Sequence, residues 1–186
     1  MKTTKLTRTV FLISMAASYP AAYAEDAVTE EPKVEVNATV EAGSLTAMIA
    51  DSLTFSTLSK CLKATELDVT LGTKGDFTIF APTDEAFGKL PPETLTKLML
   101  PENKEKLRML LLYHVVAGRM LAADLQDGDV KTMNGEKVKI DADKNEIEID
   151  GEKVFSADVT ASNGVMHSIG KVLVPESLEG FVGLDE

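Results

Sequence analysis

The run Ser162-Asn163-Gly164-Val165-Met166-His167-Ser168-Ile169-Gly170-Lys171-Val172-Leu173-Val174-Pro175 sets an Asn-Gly turn before a long apolar stretch that a proline ends. Asn-Gly offers the positive φ angles of a tight turn, so a strand entered from that turn is expected. About eighty residues earlier, Asp76-Phe77-Thr78-Ile79-Phe80 forms a second short strand pattern that stops at Ala81-Pro82. Thr83-Asp84-Glu85-Ala86-Phe87 then opens a helix, with Thr83 as its cap and two carboxylates at its positive end.

Helical patterns precede and follow that first strand. Ser44 can cap a helix carrying Leu45, Met48 and Ile49, and Thr54 a second carrying Phe55, Leu58 and Leu62. Pro91-Pro92 starts a short helix through Leu98, and Glu102 to Leu112 places Leu107, Leu110 and Leu111 on one face. The period then changes from 3.6 to 2. Val138 and Ile140 alternate with Lys137 and Lys139, and Ile147 and Ile149 with Glu146 and Glu148. Asn134-Gly135 and Asp150-Gly151 read as two-residue hairpin turns, so a meander is expected from about Val130 to Val159. Lysines on one strand should lie near glutamates on the next. Helices first and strands later, without a βα rhythm, means α+β.

The chain begins with a positive region (Lys2, Lys5, Arg8), a short apolar core (Val10–Ala17) and Ala22-Tyr23-Ala24, the pattern of a signal peptide cleaved after Ala24. Eight mostly apolar residues are too few to span a bilayer, which takes about 20. Residues 25–42 carry six acidic groups and one lysine without an apolar period, and read as a flexible linker. The domain is expected over residues 43–178, with a short tail at 179–186. Asn37 begins a glycosylation sequon, Asn37-Ala38-Thr39. The formal charge of −11 falls to −14 once Lys2, Lys5 and Arg8 are removed. Such a surface argues against nucleic acid and anionic lipid as partners. The single cysteine, Cys61, leaves no internal disulfide, and its place on an apolar helix stripe reads as core.

No pattern carries catalysis. Asp141, Asp143, Asn145 and Glu152 imitate a calcium loop, but Glu146 occupies the position that needs glycine and the flanks alternate as strands. His114 and His167 lie in apolar runs without a partner at metal-ligand spacing, and no Gly-x-Ser-x-Gly elbow or phosphate-cradling loop is present. Neither a metal nor a cofactor is expected, and the chain does not read as an enzyme. Tyr113-His114, after the apolar helix, reads as a buried ring whose hydroxyl His114 can partner, or as a contact point for another protein.

Thr78 to Phe87, Tyr113-His114 and Asn163 to Pro175 together resemble, in order and spacing, the two signatures and the central Tyr-His motif of the fasciclin domain family. The resemblance implies a wedge-shaped β-sandwich with N-terminal helices packed against it. It implies adhesion or extracellular protein interaction, with a cell-surface protein or glycan as partner, in a single-domain exported bacterial member. In animal matrix members the contact motifs are the Tyr-His pair and an Asp-Ile pair. The matching positions here are Tyr113, His114, Asp158 and Val159. The resemblance gives Thr78, Phe80, Pro82, Thr83, Phe87, Asn163, Gly164, His167 and Pro175 structural roles. A domain binding small molecules or carbohydrates is the alternative reading.

Overall fold

The computed structural model describes residues 40–73, 75–143 and 146–182. The expected signal peptide, the linker up to residue 39 and Asn37 lie outside these residues. Helices come first: α1 (Leu45–Asp51), α2 (Ser56–Ala64) and α3 (Leu67–Gly72). Strand β1 (Phe77–Pro82) leads into α4 (Asp84–Gly88), α5 (Pro92–Leu98) and α6 (Lys104–Tyr113). Six strands follow: β2 (Val115–Ala117), β3 (Gly128–Lys131), β4 (Lys137–Asp143), β5 (Glu146–Ile149), β6 (Glu152–Ala161) and β7 (Gly164–Ile169). The helical turn α7 (Glu179–Val182) closes the described chain. Its Val182 is buried, so these residues pack where a tail was expected. At the other end Glu41, placed in the expected linker, donates its N–H to the Gly72 carbonyl at 3.1 Å.

The α+β reading holds: seven strands run in the order β2-β1-β7-β6-β5-β4-β3, with helices packed against them. The strand patterns flanking the two quoted runs meet at the centre. β1 and β7 pair in parallel, with Phe77 opposite Gly164, Phe80 opposite His167 and Pro82 opposite Ile169. Parallel strands buried on both faces read as continuous apolar runs, which is why both segments lack alternation. Ile79 and Ala81 face the helices and join Leu45, Leu58, Leu62, Leu107 and Leu111 in one core. Phe80 and Ile169 face the other way and join Val138, Ile140 and Ile149 of β4 and β5 in a second.

The second core exists because the sheet doubles over at β6. That strand pairs with β7 from Val154 to Ala161 but with β5 only at Glu152 and Lys153. The two ends of the folded sheet then meet: Val116 bridges Thr132, and Met133 donates its N–H to Val115 at 2.7 Å. The result is a sandwich made from one strand order.

Three local expectations change. Asp150-Gly151 is a two-residue turn with φ of 49° and 76°, but at Asn134-Gly135 only the glycine has positive φ, and Thr132 pairs with Glu136 across a three-residue loop. Thr54 does not cap α2: Ser52 caps the preceding 3-10 turn, and α2 is capped from elsewhere in the fold. In the meander, register sets Asp141 opposite Glu148, so the expected pairing of Lys137 and Lys139 with Glu146 and Glu148 does not form. Lys137 pairs with Asp129, Lys139 with Asp141, and Lys153 with Glu146. These are surface pairs, each worth only about 0–1 kcal/mol.

Gly164 shows how tightly β1 and β7 approach. Its φ is 157°, and a Cβ there would overlap the Phe77 carbonyl oxygen and a Leu45 methyl. Backbone cannot yield as a flexible side chain can, so Gly164→Ala should cost about 3 kcal/mol or more. Gly88→Ala, in α4 with no atom within 4 Å of the new methyl, should be neutral or stabilising by under about 1 kcal/mol. Urea denaturation of the two variants checks the contrast; equal midpoints would contradict the close-approach account.

Candidate functional site

The residues marked out by sequence lie along the seam between helices and strands. Asn163 is the most connected. Its Nδ2 donates to the Leu71 and Thr73 carbonyls at 2.6 and 2.9 Å, and its Oδ1 accepts from the Leu45 N–H at 2.8 Å. One buried amide thus satisfies carbonyls at the end of α3 and a free N–H at the start of α1. Its own carbonyl accepts from Phe77 at 3.1 Å. Every free helix-end group needs such a partner.

Asp84 does the same for α2. Its carboxylate accepts from the Thr57 N–H at 2.7 Å, the Ser56 N–H at 3.2 Å and the Ser56 hydroxyl at 2.8 Å. Partial burial pushes its carboxyl up, but the hydrogen bonds from Thr57 and Ser56 outweigh that and hold it below the usual range. Thr83 caps its own helix, accepting from Ala86 at 3.3 Å. Thr78 donates to the Gly118 carbonyl at 2.8 Å and accepts from the Met120 N–H at 2.9 Å. Phe87 is buried in the helix-side core. Pro175 is buried at the start of the last 3-10 turn, and Pro82 ends β1.

Tyr113 and His114 are interior residues, 5% and 2% exposed. As a contact point the pair offers little surface, Tyr113 only its edge at the cleft described below. Tyr113 directs its hydroxyl to Asp150 Oδ2 at 2.8 Å, with the Lys137 carbonyl at 3.0 Å, so its partner is not His114. Burial and then the Asp150 carboxylate raise its phenol above the ordinary value. His114 joins three elements through its ring and its carbonyl. Nδ1–H donates to the Leu110 carbonyl at 2.8 Å, and Nε2 accepts from the Leu173 N–H at 2.9 Å. The His114 carbonyl accepts from the Phe80 N–H at 2.9 Å. Burial pushes the imidazole down to about 4.

Asp158 and Val159 lie elsewhere, on the bulged part of β6. Asp158 is exposed with φ of 60°, and its Oδ1 accepts from the Ala122 N–H at 2.7 Å. Its own N–H donates to His167 Nδ1 at 3.3 Å, while His167 Nε2–H donates to the Met120 carbonyl at 2.9 Å. Val159 is half-buried against the helix-side core. Sequence reasoning overlooked what surrounds this bulge. Phe155, three residues earlier, is 72% exposed, and Leu121, beside Ala122, is 39% exposed. Phe155 lies at the first of two register shifts between β6 and β7, opposite in facing to the core-packed Val154.

A half-open cleft of about 760 Å³ lies where the chain after β7 crosses β4, with Tyr113, Lys137, Asp150, Lys171 and Glu176 in its walls. Its lysines are paired, Lys171 with Glu152 at 3.4 Å, Lys137 with Asp129 at 3.5 Å and Lys139 with Asp141 at 2.9 Å. Tyr113 gives its phenol proton to Asp150, and His114, behind it, has both ring nitrogens occupied. Among the described residues no three His, Cys, Asp or Glu side chains gather to hold a metal ion. No described helix is long and apolar enough to cross a membrane. Lys144 and Asn145 of the calcium-like run lie outside the described residues, and its flanks are strands.

Replacing Asn163 separates bonding from shape. Asn163→Asp keeps the volume but sets carboxylate oxygen against the Leu71 and Thr73 carbonyls. It should destabilise about as much as Asn163→Ala, by about 3 kcal/mol in urea denaturation. A near-neutral Asp variant would show that the amide's hydrogen bonds contribute little.

The family profile described as the fasciclin domain matches residues 53–175. "Protein sll1483" of Synechocystis sp. is 41% identical over 155 residues, covering 83% of this chain and 86% of that protein. Transforming growth factor-beta-induced protein ig-h3 of Sus scrofa is 35% identical over 126 residues, 67% of this chain but 18% of that longer protein. Among solved structures, a FAS1 domain pair from the insect cell adhesion molecule fasciclin I superposes with a TM-score of 0.64 at 18% identity. It covers 74% of this chain, which spans 53% of that one.

Proposed function

The chain belongs to the fasciclin domain family, and on that footing we propose that it is an exported interaction module. It associates with proteins or glycans at the cell surface, in the periplasm or outside the cell. The basic, apolar and small-residue order of residues 1–24 supports export through a cleaved signal peptide. Fasciclin I, the source of the structural neighbour, is a cell adhesion molecule.

The observation that carries the reading is the exposed Phe155 on a bulged strand, three residues before Asp158, whose carboxylate holds Ala122 next to the part-exposed Leu121. Exposed aromatic groups beside a fixed polar one are the usual anchors of a protein contact. The contact region thus keeps Asp158 and Val159 from the family's motifs and replaces the buried Tyr113-His114 pair with Phe155 and Leu121. We assign the domain no catalytic role. The 760 Å³ cleft supports the second reading, a small-molecule or carbohydrate site, since its size suits such ligands.

A Phe155→Ser, Asp158→Asn double variant tests the contact region. Asparagine tolerates positive φ and keeps an oxygen for the Ala122 N–H, so the bulge should survive. With melting matched to the parent, the variant should lose at least about tenfold in affinity for partners captured from envelope and extracellular extracts. Equal recovery of every partner would discard this face and leave the cleft as the place to look.

A further inference from the structure

After Ile169 the chain leaves the sheet and passes back over both cores. Val172 and Leu178 are buried in the helix-side core with Val182, and Leu173 in the core between the strands. Among the described residues this segment has no strand partner, and few polar ties fasten it. The Leu173 N–H donates to His114 Nε2 at 2.9 Å, and the Val182 carbonyl accepts from the Thr94 hydroxyl at 3.0 Å. At the exposed rim Ser177 donates to Glu136 and Lys171 pairs with Glu152. Stretches with few backbone hydrogen bonds to the body open locally before the rest unfolds. The same stretch forms one wall of the cleft through Val172, Leu173 and Glu176.

We propose that His114 is an acid-operated latch on residues 171–182: the neutral ring accepts from Leu173 and holds the segment closed, and a proton on Nε2 releases it. Nε2 sits 2.9 Å from a nitrogen that is itself a donor, so a proton on Nε2 removes this bond and sets two donors against each other in the closed segment. Nδ1 offers no alternative, because its proton is already given to Leu110.

No charged group faces the ring to stabilise a cation. β1 and β2 carry no titratable side chain. On β7 the one such group is His167, across Phe80, with both nitrogens engaged by Asp158 and Met120. On α6, Tyr113 points to Asp150, Lys104 to Glu66, Arg108 to the Thr65 carbonyl and Lys106 to the Phe181 ring, while Glu105 is exposed. On the segment itself Lys171 pairs with Glu152, and Glu176 and Glu179 are exposed. Burial therefore outweighs the Leu110 hydrogen bond, which favours the charged ring, and the closed ring takes a proton only near 4, against an ordinary value of 6.5. Once the segment opens, the ring binds a proton at the ordinary value. Between those limits each unit of acidification favours the open form about tenfold; above 6.5 pH has no effect through this group. Apolar packing keeps the closed form dominant, so acid raises a minor population with one cleft wall removed.

Hydrogen exchange of the full chain at pH 7.5, 6.0 and 5.0, corrected for intrinsic rates, reads the opening. Peptides over residues 171–182 should open about sevenfold more at pH 5.0 than at pH 6.0. Peptides over β4 and β5 should change less than twofold and serve as the internal reference. An unchanged segment would overturn the latch. So would an equal rise in both regions, since that reports whole-domain unfolding. His114→Gln keeps an acceptor but cannot titrate, so in the folded variant the segment's pH response should vanish; a surviving response overturns the proposal. The wild-type comparison, with its internal reference, decides the case even if that variant does not fold.

Discussion

The parallel pairing of β1 with β7 is the constraint from which the rest of the domain follows. It joins segments about eighty residues apart, and both strands are buried on both faces. The helices pack against one face and the doubled-back meander against the other, so neither core is complete without this pair. Such long-range pairing carries a loop-closure cost in chain entropy that only the packing it enables can offset. Gly164 permits the approach, because the Phe77 carbonyl occupies the space where any side chain would begin.

With one cysteine and no disulfide, long-range polar ties lock what packing brings together. Asn163 binds the ends of two helices, Asp84 caps a helix that starts 28 residues before it, and His114 fastens a residue 59 positions later. Each replaces groups that a helix terminus or a departing strand would otherwise leave without partners. Buried polar groups with complete bonding specify one arrangement, since any slip strands several of them at once. Among the described residues no buried side-chain nitrogen or oxygen lacks a partner.

The helices and strands were readable because period and punctuation are local. Ser44, Thr83 and Asp150-Gly151 act within a few residues of themselves, and all three do what their sequence positions indicate. What escaped depends on distant residues. Thr54 was a reasonable cap for α2, but Asp84 holds that helix start from another element. The lysine–glutamate pattern was present, yet strand register decided which charges met. Tyr113 and His114 are the sharpest case. An amphipathic pair after a helix reads first as a buried tie and second as a surface contact, and its partners, Leu173 and Asp150, lie too far along the chain to be read from sequence. Phe155 was overlooked for the opposite reason: an apolar ring beside inward-facing Val154 stands on the outer face of β6, where the sequence pattern suggests core.

The three motif segments thus build the frame, and the contact region proposed for the domain lies on the bulged strand at its margin. The β1–β7 pair is tested most directly by residue-resolved native-state hydrogen exchange in low denaturant. The Ile79, Phe80, Met166 and His167 amides should exchange only through global unfolding, with opening free energies equal to the stability from denaturation. Faster exchange there than in the β4–β5 hairpin would contradict a fold organised around this pairing.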